Sequence, residues 1–359
     1  MTVSGQLAIV TSGFPRVSET FALNELLGLE RAGAIAAIFA TKPGDGLPTQ
    51  PGVEALLHRV EVLHAGPVEA QAAHIAQRLA DHPVTGVHAY FAHVPAAVAA
   101  GAAHRLGVPY SFSMHARDAR KVAPEKLIER ARSAACVIAC NEDVAGELHG
   151  ADARVELVPH GVDLGRFAPR PMPGGPTLKV LTVARLIEKK GIGVLIEAVA
   201  GLGVPFRLRI VGEGPLESEL ARATRQAGLH DRVEFCGALT HHELPRAYAD
   251  AHVIAVPSVR DSGDDRDGLP NVVLEAMACG RPVVGSAVGA IPSAVRDGEN
   301  GLLTMPGDAI GLRAALAGLA GDGALRTRLG QAARAMVERK FELGSCTARL
   351  LRTLERAYA

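Results

Sequence analysis

Short apolar runs alternate with longer segments of helical periodicity along most of the chain. In the first half, the apolar runs predict β-strands at residues 7–10, 35–40, 60–63, 84–89, 110–114, 137–139 and 155–158. Between them, apolar residues recur at helical spacing and predict helices at residues 19–32, 69–80, 96–106 and 125–131. Ser18 is placed to cap the first of these helices and Gly33 to end it. Apolar strands separated by helices predict a parallel sheet that is covered on both faces.

The alternation stops at residues 168–176, where four prolines and two glycines stand within nine positions. Neither a helix nor a strand tolerates this density of prolines, so we predict a linker there. After it, strands are predicted at residues 178–183, 206–211, 233–235, 253–256 and 283–284. Helices are predicted at residues 193–200, 216–227, 243–248 and 270–278, and from residue 309 onward with breaks near Gly321 and Gly344. The pattern therefore predicts two doubly wound α/β domains, residues 1–167 and 177–340, followed by a terminal helix in residues 341–359.

The composition is balanced in charge and rich in small apolar residues. The chain of 359 residues carries 38 basic and 38 acidic side chains and has a pI near 7.3. No basic surplus is present, which argues against binding to nucleic acid and against strong attraction to an anionic membrane. Hydrophobic residues make up 48% of the chain, yet tryptophan is absent. This composition favours helices packed on parallel strands over a β-sandwich.

Cysteine usage and the apolar segments indicate the compartment. The five cysteines are odd in number and irregularly spaced, which is typical of small core residues in a reducing environment. The first residues contain neither a basic segment nor a long apolar one, so no signal peptide is expected. The longest apolar run, residues 94–103, is too short to span a bilayer. We expect a cytoplasmic protein; peripheral association with the inner face of the membrane through a helix face stays open.

Residues 261–280 join a strongly polar loop to an apolar helix. Pro270 suits the start of that helix, and Gly280 suits the position just past its end. Asp267 precedes the helix and Glu275 lies one to two turns inside it, so two carboxylates flank a helix N-terminus. Free N–H groups and a partial positive charge at that terminus suit a phosphate. This order of carboxylate, helix N-terminus and carboxylate suits a ligand in which a sugar, a diphosphate and a ribose follow one another. A solvated acidic loop before an ordinary buried helix is the alternative, and the stretch alone leaves both open.

Two glycine-containing turns bear on the kind of nucleotide. The first strand leads into Gly13 and Phe14 without the G-x-G-x-x-G pattern, and no well-placed acidic residue ends the second strand. A nicotinamide or flavin dinucleotide site is therefore not expected. Gly212 and Gly214 follow a strand of the second half, where a tight turn from strand to helix is sufficient to explain them.

Taken together, several segments resemble the retaining glycosyltransferases of family 4, which have the GT-B fold. The resemblance rests on FPRVSETF at residues 14–21, LVPHGVDLGRF at 157–167, TVARLIEKKG at 182–191, IVGEGPL at 210–216 and the stretch 261–280. The first segment is similar to a subgroup that makes exopolysaccharides, capsules, colanic acid and related surface glycans. The resemblance implies two Rossmann-like domains facing a central cleft, with the C-terminal helix packing back on the first domain.

The resemblance implies that the second domain holds the donor. Arg185 and Lys190 take the positions of the cations that stabilise the departing diphosphate. Asp267 takes the position of the acid that contacts the donor sugar, and Glu275 that of the acid that grips the ribose. Further donor-binding positions are Gly13, Gly214, Leu239, Gly268, Leu269, Pro270 and Asn271. Four neighbouring charges are expected to be solvated instead: Lys189, Asp261, Asp264 and Asp265.

In the first domain, the resemblance implies that His115 reaches the donor sugar. His115 and His160 both follow predicted strands, where the cleft of an α/β domain collects its ligands. Arg16, Glu19 and Asp118 are expected to face the acceptor.

Two positions depart from the family pattern. Asp267 stands where glutamate is commoner, and its shorter side chain reduces the reach toward a sugar. Ser293 stands where the family usually has glutamate, and no catalytic consequence is expected.

The implied reaction is transfer of a hexosyl unit from a nucleoside diphosphate sugar to a saccharide or lipid-linked acceptor, with retention of configuration. Front-face substitution needs neither a metal nor another cofactor. Two alternatives stay open: a sugar-nucleotide epimerase or phosphorylase on the same fold, and a non-catalytic nucleotide-binding scaffold. Neither the base nor the sugar is specified, because base contacts in this fold come largely from backbone near residues 237–239.

Overall fold

The computed structural model describes residues 5–16, 19–46, 50–115 and 120–359. The chain forms two compact units. The chain up to Gly161 and the terminal segment Leu343–Ala359 form the first, and Val162–Glu342 forms the second.

The first unit is built on a seven-stranded parallel sheet with the order β3-β2-β1-β4-β5-β6-β7. The strands are β1 (Leu7–Thr11), β2 (Ile35–Ala40), β3 (Val60–Val62), β4 (Gly86–Tyr90), β5 (Tyr110–Met114), β6 (Cys136–Ala139) and β7 (Val155–Leu157). The helices in the described residues of this unit are α1 (Thr20–Arg31), α2 (Glu54–Leu57), α3 (Val68–Arg78), α4 (Val94–Leu106), α5 (Pro124–Ser133) and α6 (Glu142–Ala145).

The second unit has a six-stranded parallel sheet with the order β10-β9-β8-β11-β12-β13. Its strands are β8 (Leu178–Val183), β9 (Phe206–Val211), β10 (Val233–Phe235), β11 (Val253–Val256), β12 (Val283–Ser286) and β13 (Gly301–Thr304). Its helices are α7 (Ile192–Ala200), α8 (Glu217–Gln226), α9 (Leu244–Ala249), α10 (Asn271–Ala278), α11 (Ile291–Ala294), α12 (Ala309–Gly321) and α13 (Gly323–Lys340). The last helix, α14 (Leu343–Tyr358), belongs to the first unit.

Each sheet has an apolar layer on both faces. Along β1, Leu7 and Ile9 join one buried cluster, while Ala8 and Val10 join another. Successive strand residues point to opposite faces, so this division places the two clusters on the two sides of the sheet. In β9, Phe206, Leu208 and Ile210 join one cluster and Val211 joins the other. The predicted class, two doubly wound parallel α/β domains, is confirmed.

The predicted strands all form, with small differences in their bounds, and one strand was missed. Strand β13 has four residues, starts at a glycine and is only partly buried after it, so no apolar run marks it. The break near Gly321 is confirmed, because the Asp322 side chain accepts a hydrogen bond from the Leu325 N–H (2.8 Å) and caps α13. The break expected near Gly344 lies slightly earlier, since α14 begins at Leu343. Ser18 lies outside the described residues.

Residues 168–176, where the linker was predicted, contain no helix or strand. The two units divide earlier, after Gly161. The Val162 N–H donates to the Phe341 carbonyl (2.8 Å), which joins the two ends of the second unit. Helix α14 packs on the first unit, where the Tyr358 hydroxyl donates to the Val87 carbonyl (3.1 Å). None of the helices in the described part of the chain combines the length and hydrophobicity needed to span a bilayer.

Candidate functional site

The main candidate site lies in the second unit, at the carboxyl end of its sheet. Strand β8 stands between β9 and β11, so the order of strands reverses there, and such switch points open a crevice for ligands. The loops after β8 and β11 meet at this point, where the Val259 N–H donates to the Lys189 carbonyl (2.9 Å). Gly191 has φ +63°, and a Cβ atom there would lie 1.9 Å from the Pro257 carbonyl oxygen. Only glycine permits this close approach of the two loops.

Asp267 and Lys190, predicted as parts of one site, are in direct contact. The Lys190 Nζ donates to Oδ2 of Asp267 (2.7 Å), and the Ser258 hydroxyl donates to the same oxygen (2.9 Å). The Lys189 Nζ lies 3.7 Å from the other oxygen, Oδ1. The Asp267 carboxylate is thus buried between two ammonium groups and a hydroxyl. Ser258 was missed by the sequence analysis, since a lone serine after a strand carries no signal.

Two neighbouring charges that were expected to be solvated are not. Lys189 is buried, and its Nζ donates to Oδ2 of Asp265 (2.8 Å). Glu188 accepts hydrogen bonds from both the backbone N–H (3.0 Å) and the hydroxyl (2.9 Å) of Ser262. These contacts hold the acidic loop (residues 261–270) against the short 3₁₀ turn Glu188–Lys190, because opposite charges and polar groups face each other along both segments. The expectation of solvated charges at Lys189 and Asp265 was therefore wrong.

The acidic loop leads into helix α10 much as predicted. Pro270 has φ −67° and ψ 135°, which is extended backbone, so it flanks the helix instead of forming its first residue. Asn271 begins the helix, and Gly280, with φ +68°, follows its end. A Cβ atom on Gly289 would lie 2.0 Å from the Asp267 carbonyl oxygen, so the turn after β12 supports the backbone at Asp267 and Gly268. The helix N-terminus therefore starts beside the Asp267 cluster.

The Glu275 side chain, on α10, makes a buried polar contact. The Tyr248 hydroxyl donates to its Oε2 (2.7 Å). Burial raises the pKa of the Glu275 carboxyl to about 7, although the Tyr248 hydrogen bond and the charge of Arg166 act to lower it. A carboxyl with such a pKa changes its charge near neutral pH. Tyr248 was also missed, since its contact depends on the packing of α9 against α10.

The loops after β8, β9 and β10 carry the remaining predicted donor positions. Arg185 is exposed, and its side chain forms no hydrogen bond or ion pair with any of the described residues. A Cβ atom on Gly214 would lie 2.5 Å from the Leu186 carbonyl oxygen, which explains the glycine by close packing. The Gly212 N–H donates to the Gly237 carbonyl (2.7 Å), and Leu239 packs against the core of this unit. The donor positions predicted in residues 185–275 therefore lie on loops and a helix at the carboxyl end of the sheet.

In the first unit, His115 lies within a group of aromatic rings. It follows β5 and stacks on His160, with ring centroids 5.0 Å apart and planes 12° apart. Phe21 contacts both imidazoles at centroid distances of 4.6 and 4.3 Å. Phe91 contacts His115 at 5.0 Å and has φ +84°, a strained value for a residue with a side chain. Backbone strain of this kind concentrates at functional sites.

His160 is bound to a buried carboxylate. Its Nδ1 donates to Oε1 of Glu25 (2.6 Å), and the Tyr90 hydroxyl donates to Oε2 (3.0 Å). Burial alone lowers the pKa of His160, but the charge and hydrogen bond of Glu25 together with the contact of Cys140 outweigh it and raise that pKa to about 10. Burial alone raises the pKa of Glu25, but the charge and hydrogen bond of His160 bring it below its usual value. His160 is therefore an imidazolium at neutral pH, stacked on His115. Glu25 was missed, because it reads as an ordinary helix residue.

The residues expected near the acceptor are only partly brought together. The Arg16 Nε lies 3.4 Å from Oε1 of Glu19 and 3.5 Å from Oδ1 of Asp45. A Cβ atom on Gly13 would lie 2.8 Å from the Pro43 carbonyl oxygen, so this glycine is needed for packing as well. Asp118 lies outside the described residues. Within the described parts of the chain, no group of three or more histidine, cysteine, aspartate or glutamate side chains is arranged to hold a metal ion.

Two models of known families match the chain, one in each half. A family model described as Glycosyltransferase Family 4 matches residues 18–166. A model described as Glycosyl transferases group 1 matches residues 177–322.

Individual glycosyltransferases and one solved structure are also similar to the chain. The putative colanic acid biosynthesis glycosyltransferase WcaL of Escherichia coli is 43% identical over 161 residues, which span 44% of this chain but only 40% of that protein. The D-inositol 3-phosphate glycosyltransferase of Xylanimonas cellulosilytica is 31% identical over 288 residues, 70% of this chain and 67% of that protein. A crystal structure of Anabaena HepE in complex with UDP aligns with a TM-score of 0.82 at 20% identity, covering 99% of this chain and 100% of that one. At this identity the structural likeness shows the fold.

Proposed function

The chain belongs to the family 4, group 1 glycosyltransferases, and on that premise we propose that it transfers a hexosyl unit from a nucleoside diphosphate sugar to a saccharide or lipid-linked acceptor. The product is a surface polysaccharide or a related glycoconjugate. The similarity to WcaL, a putative colanic acid biosynthesis enzyme, supports this class of product. The five free cysteines support a cytoplasmic location, where thiols stay reduced.

One observation carries the proposal: the contact of Lys190 with Asp267 at the switch point, beside the N-terminus of α10. A cation, a carboxylate and a helix N-terminus supply the groups that a sugar diphosphate needs. The ammonium and the N–H groups stabilise phosphate, while the carboxylate accepts hydrogen bonds from sugar hydroxyls.

The diphosphate is held by Arg185, Lys190 and the start of α10. The exposed guanidinium of Arg185 offers a planar fork to two phosphate oxygens, and Lys190 offers a point charge. The backbone N–H groups of Leu269 and Asn271 face the distal phosphate, whereas Pro270 has no N–H to donate. Gly13 and Gly214 allow backbone to approach the diphosphate.

The carboxylates of Asp267 and Glu275 bind different parts of the donor. Asp267, followed by Gly268, contacts the hydroxyls of the sugar. Glu275 accepts the ribose hydroxyls, and backbone near Leu239 meets the base. In the first unit His115 contacts the donor sugar, while Arg16, Glu19 and Asp118 face the acceptor.

The reaction is a front-face substitution with retention of configuration. The bond between the anomeric carbon and the phosphate oxygen breaks, and the acceptor oxygen bonds to the same face of that carbon. The departing phosphate oxygen takes the acceptor proton, so no protein nucleophile is needed. Arg185, Lys190 and the helix N-terminus stabilise the charge that develops on the diphosphate without a metal ion. A retaining hydrolase instead needs a free nucleophilic carboxylate about 5 Å from an acid, whereas Asp267 is held by two cations and a hydroxyl.

The test is a panel of UDP-, GDP- and ADP-hexoses, incubated with the protein and with lipid-linked or oligosaccharide acceptors. We expect nucleoside diphosphate to be released only when donor and acceptor are both present, and NMR to show a retained anomeric configuration. Arg185→Ala and Glu275→Ala are expected to abolish most turnover. Release without acceptor would favour an epimerase or hydrolase, and an inverted product would exclude the front-face mechanism.

A further inference from the structure

Adjacent lysines contact Asp267 in different ways. Lys190 binds Oδ2 at hydrogen-bond distance (2.7 Å), and 17% of its side chain is exposed. Lys189 lies 3.7 Å from Oδ1, and only 7% of its side chain is exposed. Lys189 is also bound to Asp265 at 2.8 Å. Lys190 is thus the more accessible ammonium, while Lys189 is enclosed by the acidic loop.

The charges of the four side chains cancel, with two ammonium groups facing two carboxylates. Were Lys189 absent, Lys190 would be the only cation on the buried Asp267 carboxylate among the residues that the structure describes. Moving Lys190 to a phosphate would then leave Asp267 without a counter-ion, which is costly for a buried charge. With Lys189 and Ser258 in place, Asp267 keeps partners on both oxygens when Lys190 turns away.

We propose that Lys189 is a positioning residue, which holds the Asp267 carboxylate in place and so releases Lys190 to bind the donor diphosphate. The inference rests on the proposed function, since it concerns the same donor site. It assigns different tasks to two neighbouring lysines: one ammonium stays with the protein carboxylates, and the other exchanges between carboxylate and ligand.

A double-mutant rescue tests this with UDP and GDP as probes, measured by isothermal titration calorimetry. In Lys189→Met the affinity for the nucleoside diphosphate is expected to fall about 10- to 100-fold, the size of one hydrogen bond to a charged group. Adding Asp267→Asn removes the carboxylate that retains Lys190. The double variant Lys189→Met/Asp267→Asn is therefore expected to regain the affinity of Asp267→Asn alone. A purely structural role of Lys189 predicts no rescue.

A charge-balanced variant guards against poor folding of Lys189→Met. Lys189→Met/Asp265→Asn removes one ammonium and one carboxylate, and it is expected to lose the same affinity because Asp267 still holds Lys190. Lys179→Met, at an exposed lysine early in β8, is the matched control and is expected to bind like the wild type.

The outcomes separate the two proposals. If the wild-type protein binds no nucleoside diphosphate, the proposed function fails. If it binds one, but Lys189→Met binds equally well or the rescue is absent, the role assigned to Lys189 is overturned and the proposed function stands.

Discussion

Nδ1 of His160 donates a 2.6 Å hydrogen bond to Oε1 of Glu25, although 135 positions separate the two residues in the chain. The Tyr90 hydroxyl binds the other oxygen of the same carboxylate. Glu25 is buried, only 15% of the His160 side chain is exposed, and the His160 ring stacks on that of His115. A fixed positive charge therefore lies against the histidine that we assign to the donor sugar.

The Glu25–His160 pair makes stability depend on pH. His160 has a raised pKa of about 10 against an ordinary 6.5, so its contribution is complete below pH 6.5 and is lost as pH rises through about 10. Glu25 has a pKa below its ordinary 4.5, so its contribution is complete above pH 4.5 and is lost as pH falls further. The pair is therefore expected to stabilise most between about pH 4.5 and 6.5.

Urea unfolding of the wild type and of Glu25→Gln/His160→Gln checks this. The free energy difference between them is expected to shrink from pH 6.5 toward pH 10. Glu25→Gln alone leaves a largely buried imidazolium without its partner and is expected to cost about 3 kcal/mol near neutral pH. A difference that stays constant from pH 6 to 10 would show that His160 is not charged in the folded protein.

Nucleotide binding is expected to depend on the ionisation of Glu275. Its pKa is raised to about 7 by burial, and the ionised carboxylate is the better acceptor for ribose hydroxyls. Affinity for a nucleoside diphosphate should therefore rise as pH increases through 7. Tyr248→Phe removes a hydrogen bond that favours the ionised form, so the midpoint should move to higher pH.

Calorimetric titrations between about pH 5.5 and 8.5 measure this midpoint. Glu275→Gln is the control, because the titration of the phosphate itself remains in that variant. Identical pH profiles for the wild type and Glu275→Gln would contradict the assignment of Glu275 to the ribose.

The cations of the donor site are expected to differ in the effect of substitution. Lys190→Met removes a charge beside Asp267 and is expected to lower kcat/KM by about 10²–10³-fold. Arg185→Lys keeps the charge but loses the planar fork, so a loss of about 10-fold is expected. Steady-state kinetics with the best donor of the panel measures both, with Lys179→Met as the control. A larger loss in Arg185→Lys than in Lys190→Met would reverse the ranking of the two cations.

Gly191 is expected to be needed for stability. It has φ +63°, and a Cβ atom there would lie 1.9 Å from the Pro257 carbonyl oxygen. Gly191→Ala should cost more than about 2 kcal/mol in stability, because the left-handed backbone and the clash both oppose it.

Gly193→Ala is the matched control: this glycine lies within α7, and the nearest atom to an added Cβ, on Leu220, is 4.0 Å away. There alanine should stabilise by about 0.5–1 kcal/mol. Thermal unfolding of both variants decides the matter, and equal melting temperatures would refute the argument from close approach.

The sequence by itself determined the architecture and the outline of the donor site. Continuous apolar runs and helical spacing are local signals, so they predicted the two parallel sheets without any knowledge of contacts. The loop and helix around Asp267 and Glu275 were also readable, because Pro270 and Gly280 delimit a helix by backbone geometry alone. Strand β13 escaped because it is short and only partly buried.

Only the tertiary structure decided what each charge contacts. Lys189 and Lys190 are chemically identical neighbours, and the direction of each side chain is set by a 3₁₀ turn packed against the acidic loop. Likewise, Glu25 became the partner of His160 through the folding of distant segments into one unit, which no local pattern encodes. Local periodicity therefore specified the elements, while the pairing of buried charges depended on which elements the fold brings together.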